Sequence, residues 1–175
     1  MNTLEKSHND FLTIAQHWQS ELTNYSFEDL TKTMNPESWS LGQVYNHLIN
    51  SALFFHLKQV ETCLQSPENS DQHKSERGEM AFGELNGFPP IKISVPPSEN
   101  YTPKQPESKE ALEAGINRVI AAMAAILPSF DQNKHGKTAH PSFTFLNAEE
   151  WYRLIEMHWR HHVKQKQELD TFLKS

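Results

Sequence analysis

Residues 147–162 read NAEEWYRLIEMHWRHH, and this stretch decides the fold. Asn147 stands three residues before Glu150, the spacing at which each side chain reaches the other's backbone N–H and starts a helix. Leu146 is placed to staple onto Trp151 across that start. Trp151, Leu154, Ile155, Leu169, Phe172 and Leu173 then recur at helical spacing. A helix is predicted from Asn147 to Leu173, with one apolar side and therefore a partner to bury it against.

Three further segments repeat the pattern. Ser40 precedes Gln43 by three, Trp39 can staple onto Val44, and Leu41, Val44, Leu48, Ala52 and Phe55 carry a second helix to about Gln65. Leu4, Phe11, Ala15, Trp18 and Leu22 mark the first, about Thr3 to Asn24. Leu112, Ile116, Val119, Ile120, Met123 and Leu127 mark the third, about Ser108 to Leu127, stopped by Pro128. Between the second and third, residues 66–107 are rich in proline and read as one long connection. Ile91 to Val95 alternates there and predicts one short extended segment, which the flanking prolines confine to an edge.

The expected fold is all-α: a four-helix bundle with a long crossover between helices 2 and 3, forming a single domain over residues 1–175. A link that long can carry the chain from one end of the bundle to the other, so helices 2 and 3 are expected to run parallel.

Composition narrows the function. Sixteen Lys plus Arg against 22 Asp plus Glu give a net charge of −6, with no basic cluster to attract nucleic acid. The longest unbroken apolar run, Val119 to Leu127, is nine residues, where a membrane span needs about 20. Met1 to Asp10 lacks the basic start and apolar stretch of a secretory signal, and the single Cys63 has no internal partner. A cytoplasmic protein is expected, binding neither nucleic acid nor membrane, with Cys63 a small buried apolar residue.

Histidine is the unusual component, ten in all, with three at 158, 161 and 162. His158 and His162 project from adjacent turns of one helix face, a spacing that lets two imidazoles hold one metal ion. On a wheel with His158 at zero, the apolar side centres near +15°, His162 falls at about +40° and His161 at about −60°. Two imidazoles inside the core-facing stripe are costly unless their nitrogens are satisfied, and a metal or buried carbonyls and water would satisfy them. A third ligand has to come from another helix. His47 and His56 flank the apolar stripe of helix 2 on opposite sides, and the wheel leaves both open. No H-E-x-x-H, C-x-x-C, G-x-x-x-x-G-K or G-x-S-x-G occurs, and Glu5-Lys6-Ser7-His8 is a lone E-x-x-H where a di-iron bundle needs two.

Trp39-Ser40 leading to His47-Leu48, with His140-Pro141, Glu149-Glu150-Trp151 and His158-Trp159-Arg160-His161-His162, resembles the DinB/YfiT superfamily of metalloenzymes. The C-terminal part is similar to a subgroup of unknown function ending in H-x-x-H-H. The resemblance implies a four-helix bundle with the same crossover and a divalent metal held by His47, His158 and His162, so it selects His47 over His56. His140 matches the subgroup's His-Pro entry to helix 4 but is not carried over as a ligand. One departure is local: the subgroup usually places glycine after the aromatic residue of that segment, and this chain has Phe143-Thr144.

Three neutral imidazoles leave a fourth position for water or substrate, and zinc or nickel both suit such ligands. A water bound there becomes acidic enough to act as hydroxide near neutral pH. The resemblance adds a second chemistry, activation of a low-molecular-weight thiol as thiolate. The expectation is a metal-dependent hydrolase or thiol transferase acting on a small molecule. Trp39, Trp151, Trp159 and Phe55 are candidates to line its pocket, and His161 and Glu149 are candidates to orient a ligand or move a proton. The alternative is a non-catalytic metal-binding or stress-associated protein in which the ion braces the bundle. The resemblance also implies a second copy of the chain, in a homodimer, as a candidate partner.

Overall fold

Both helix starts read from the sequence form as reciprocal caps. Ser40 accepts from the N–H of Gln43 while the Gln43 side chain accepts from Ser40, and Asn147 and Glu150 do the same. The computed structural model describes residues 3–89 and 101–175, so the extended segment expected at 91–95 lies outside the described residues.

In chain order the elements are α1 (Thr3–Leu22), α2 (Phe27–Thr31), α3 (Leu41–Ser51), a π turn (Ala52–His56), α4 (Leu57–Gln65), α5 (Glu76–Phe82), α6 (Lys109–Ile126), a 3-10 turn (Leu127–Gln132), strands β1 (Lys137–His140) and β2 (Thr144–Asn147), α7 (Ala148–His161) and α8 (Val163–Leu173). The four expected helices are α1, α3 with α4, α6, and α7 with α8. Three details differ from expectation. The second helix is interrupted by the π turn, the fourth steps at His162, and the third passes Pro128 as a 3-10 extension. Pro128 lacks the N–H that an α-helix interior requires but sits without loss at the first positions of the tighter turn. Segments read as loops also hold α2, α5 and the antiparallel β1–β2 hairpin, paired from Lys137 opposite Asn147 to His140 opposite Thr144.

Contacts along the helices give their directions. Trp18 donates its indole N–H to the Trp159 carbonyl at 3.1 Å, and Lys166 meets Glu21 at 2.7 Å, so α1 runs parallel to α7 and α8. Lys109 at the start of α6 reaches the Tyr25 carbonyl beyond the end of α1, so α1 and α6 are antiparallel. Near the start of α6, Gly115 faces Ile49: a Cβ there would lie 2.8 Å from Ile49 Cδ1, and the missing side chain lets α3 and α6 approach closely. Beyond the other end of α6, Gly136 donates its N–H to the Cys63 carbonyl of α4. The second and third helices therefore run parallel, as the length of the crossover allows.

The core is filled by Trp18, Trp151, Trp159, Tyr45, Tyr152, Phe11 and Phe143, all fully buried. Each large apolar side chain removed from water contributes roughly 2–3 kcal/mol to folding, so these rings dominate the packing. Cys63 is buried as expected. The segment Lys109–Gln132 is long and apolar enough to cross a membrane by length and composition, which the length of unbroken apolar runs does not reveal. Its Leu112, Ile116, Val119 and Met123 are buried in the bundle core.

Candidate metal centre

His47 stands on α3, His158 on the last turn of α7, and His162 at the step between α7 and α8. His47 Nε2 lies 2.9 Å from His158 Nε2, and His162 Nε2 lies 3.1 Å from the same atom. One nitrogen from each ring falls within 4.8 Å of the others, a grouping that could hold a metal ion. The second helix packs on α7 through its π turn and α4, and on α8 through α3, which brings the three rings together.

The protons explain what the cluster suits. Gln165 accepts a 2.7 Å hydrogen bond through Oε1, so His162 donates from Nδ1 and a neutral ring keeps its Nε2 lone pair facing inward. His158 Nε2 then faces two neighbouring nitrogens but carries at most one proton to share between them. A cation accepts all three lone pairs at once.

Burial and proximity keep the rings neutral, which is the state that binds metal. Burial, then the neighbouring His162, pushes His47 down to about 3. Burial pushes His162 down to about 4 against the opposing Gln165 hydrogen bond. Burial, then the neighbouring His47, His162, His56 and His161, holds His158 well below the usual histidine range.

The structure adds His56 to this group. His47 and His56 are nine residues apart, which on an uninterrupted α-helix is about 180° of rotation. The π turn inserts a residue without its share of rotation, reducing that angle by roughly 100°. His56 is consequently buried, with its ring centroid 5.4 Å from that of His158 and 6.0 Å from that of Trp151. His140, in the hairpin, lies 5.2 Å from Trp151 and stacks on Phe143 at 4.5 Å. Its Nδ1 accepts the backbone N–H groups of Ser142 and Phe143, so His140 shapes the loop that enters α7.

The other candidates separate by position. Trp39 packs on His47 at 5.1 Å, and His161 lies 5.5 Å from His162. Trp151 and Phe55 stand beside His56, at one remove from the three converging rings. Trp159 belongs to the core against Phe11. Glu149 is in the first turn of α7, roughly 14 Å along the helix from His158. Phe88, absent from the sequence reading, lies 6.1 Å from His158 and 5.1 Å from His161. Arg153 holds the Phe82 carbonyl and Arg160 the Asn86 carbonyl, which fixes the loop that carries Phe88. A concavity of about 350 Å³ bounded by Tyr25, Ser26, Phe27 and residues 107–110 shares no residue with the histidine cluster.

Compared with known proteins, residues 10–165 match the family model of the DinB superfamily. No curated protein and no solved structure matches the chain.

Proposed function

The chain belongs to the DinB superfamily, and from that premise we propose that it is a divalent-metal-dependent enzyme with His47, His158 and His162 as ligands. Its reaction is hydrolysis or low-molecular-weight thiol transfer on a small molecule in the cytoplasm. The observation that carries the reading is the convergence of one nitrogen from each of the three imidazoles within 4.8 Å. The Gln165 bond that turns one lone pair inward and the burial that keeps the rings neutral both support it. Zinc or nickel is the ion that imidazole donors suit, and it would supply Lewis acidity and lower the pKa of a bound water or thiol.

The chain's own residues would do the rest. His47 and His162 hold their rings edge-on to His158, and Trp39 packs on His47. Phe88 and His161 flank the cluster, where an apolar ring and an exposed imidazole would meet the substrate.

A non-catalytic reading has one observation in its favour: the three ligands tie α3 to the step between α7 and α8, where an ion would brace the bundle. Metal content of untagged protein tests both readings, beside His47→Ala, His56→Ala and His158→Ala. About one zinc or nickel per chain, lost with His47 or His158 and kept without His56, supports the site. Turnover of ester, amide or thiol-transfer substrates by the loaded protein then supports the enzyme. A large fall in melting temperature on chelation, with no turnover, supports the brace. A wild type that takes up no metal on reconstitution removes both.

A further inference from the structure

We propose that His56 is a positioning residue for His158, acting through one ordered water that it shares with Trp151. The inference rests on the metal-site reading above. Among the described residues, His158 Nδ1, His56 Nδ1 and Trp151 Nε1 are buried without a hydrogen-bond partner. They belong to three neighbouring rings, His56 lying 5.4 Å from His158 and 6.0 Å from Trp151 between centroids. The fourth such atom, Trp159 Nε1, belongs to the separate packing against Phe11. Unpaired buried polar atoms are uncommon in folded proteins, and three on adjoining rings call for one shared explanation.

Donor counting supplies it. An indole N–H only donates. A histidine that gives Nε2 to a metal carries its proton on Nδ1, so His158 donates there as well. His56 is the one member of the three free to accept. Direct bonds do not form between these rings, which leaves a bridging molecule with two lone pairs and a proton. One water accepts from His158 and Trp151, donates to His56 Nδ1, and leaves none of the three unpaired. His140 accepts two backbone N–H groups at Nδ1 and so donates from Nε2, but no hydrogen bond joins it to His56 Nδ1. Ligand histidines commonly donate their second nitrogen to an orienting partner: His162 does so directly to Gln165, and His158 would do so through this water. The π turn is what carries His56 to the place.

The test is zinc affinity of the full chain, measured by competition with a chromogenic chelator. His56→Leu and Trp151→Phe keep bulk while removing an acceptor and a donor. Each is expected to weaken zinc binding by about 10- to 100-fold. His56→Asn, which returns an acceptor at the δ position, is expected to restore affinity close to that of the wild type. The double variant His56→Leu/Trp151→Phe is expected to lose no more than the weaker-binding single variant, because both remove one shared contact. Nitrogen NMR of the imidazoles is expected to show His56 protonated on Nε2. Zinc held as tightly by a folded His56→Leu or Trp151→Phe protein as by the wild type overturns this inference alone, as does a His56→Asn protein no better than His56→Leu. Absence of zinc from the wild type overturns the metal reading and this inference together.

Discussion

Gln165 accepts a 2.7 Å hydrogen bond from Nδ1 of His162, one helical turn before it. The contact crosses the step between α7 and α8, so the local break in the helix and the orientation of one proposed ligand are set together. Removing the acceptor in Gln165→Leu frees the ring to rotate or change tautomer. Metal affinity is expected to fall by about 10- to 100-fold, and Gln165→Glu to hold metal at least as tightly as the wild type. Chelator competition checks both, and an unchanged Gln165→Leu would show that packing alone orients His162.

Thr144 adopts a φ of 70°, in the left-handed region where a β-branched side chain is crowded. It sits where the resembling subgroup usually has glycine, directly after Phe143, at the turn of the hairpin that feeds α7. Thr144→Gly is expected to relieve roughly 1 kcal/mol of strain net of glycine's greater unfolded entropy, raising Tm by about 2–4 °C. Thermal unfolding followed by circular dichroism measures it, and a lowered Tm would mean that the threonine side chain contributes more than the strain it imposes.

These two residues mark what the sequence makes legible. The four helices and two caps can be read because apolar spacing persists over many turns and the capping side chains lie three residues apart. His158 and His162 can be read because a four-residue separation fixes their shared face. His47 needed the family resemblance, since a helical wheel assumes constant rotation. The π turn breaks that assumption, and Ala52-Leu53-Phe54-Phe55-His56 contains no glycine or proline to announce it. Helix α5 and the two hairpin strands are too short for periodicity to identify. Phe88 reaches the site through Arg153 and Arg160, long-range contacts that no local pattern encodes.

Lys166 is 2% exposed and is held by Glu21 and Asp170, each at 2.7 Å, beneath the Tyr25 ring. Tyr25 in turn donates to Asp170, and burial followed by this bond pushes its hydroxyl up to about 12. The cluster fastens α8 to α1. Lys166→Met removes the cation that pairs with both Glu21 and Asp170, and of these two Asp170 keeps the bond from the Tyr25 hydroxyl. A loss of roughly 3 kcal/mol is expected, seen as a Tm lower by about 6–12 °C. A variant that melts with the wild type would show that the cation's desolvation offsets its pairing.

The neutral histidines give the metal-free protein a defined acid limit. Burial holds His140 down to about 4 and His162 down to about 4, while burial with the nearby His162 holds His47 to about 3. In the unfolded chain each takes up its proton near pH 6.5. Between about pH 6.5 and about pH 4 the unfolded state therefore binds more protons than the folded one, and protonation favours unfolding. Stability is complete above that window and falls as pH drops through it, by up to about 1.4 kcal/mol per pH unit for each histidine still neutral. Urea unfolding of chelated protein is expected to show a midpoint that is steady above about pH 7.5 and declines toward about pH 4.5. Zinc should preserve the midpoint further into acid, because protons must then displace the ion as well as enter the fold. A midpoint indifferent to pH across this range would mean that these rings are already charged, or open to solvent, in the folded protein.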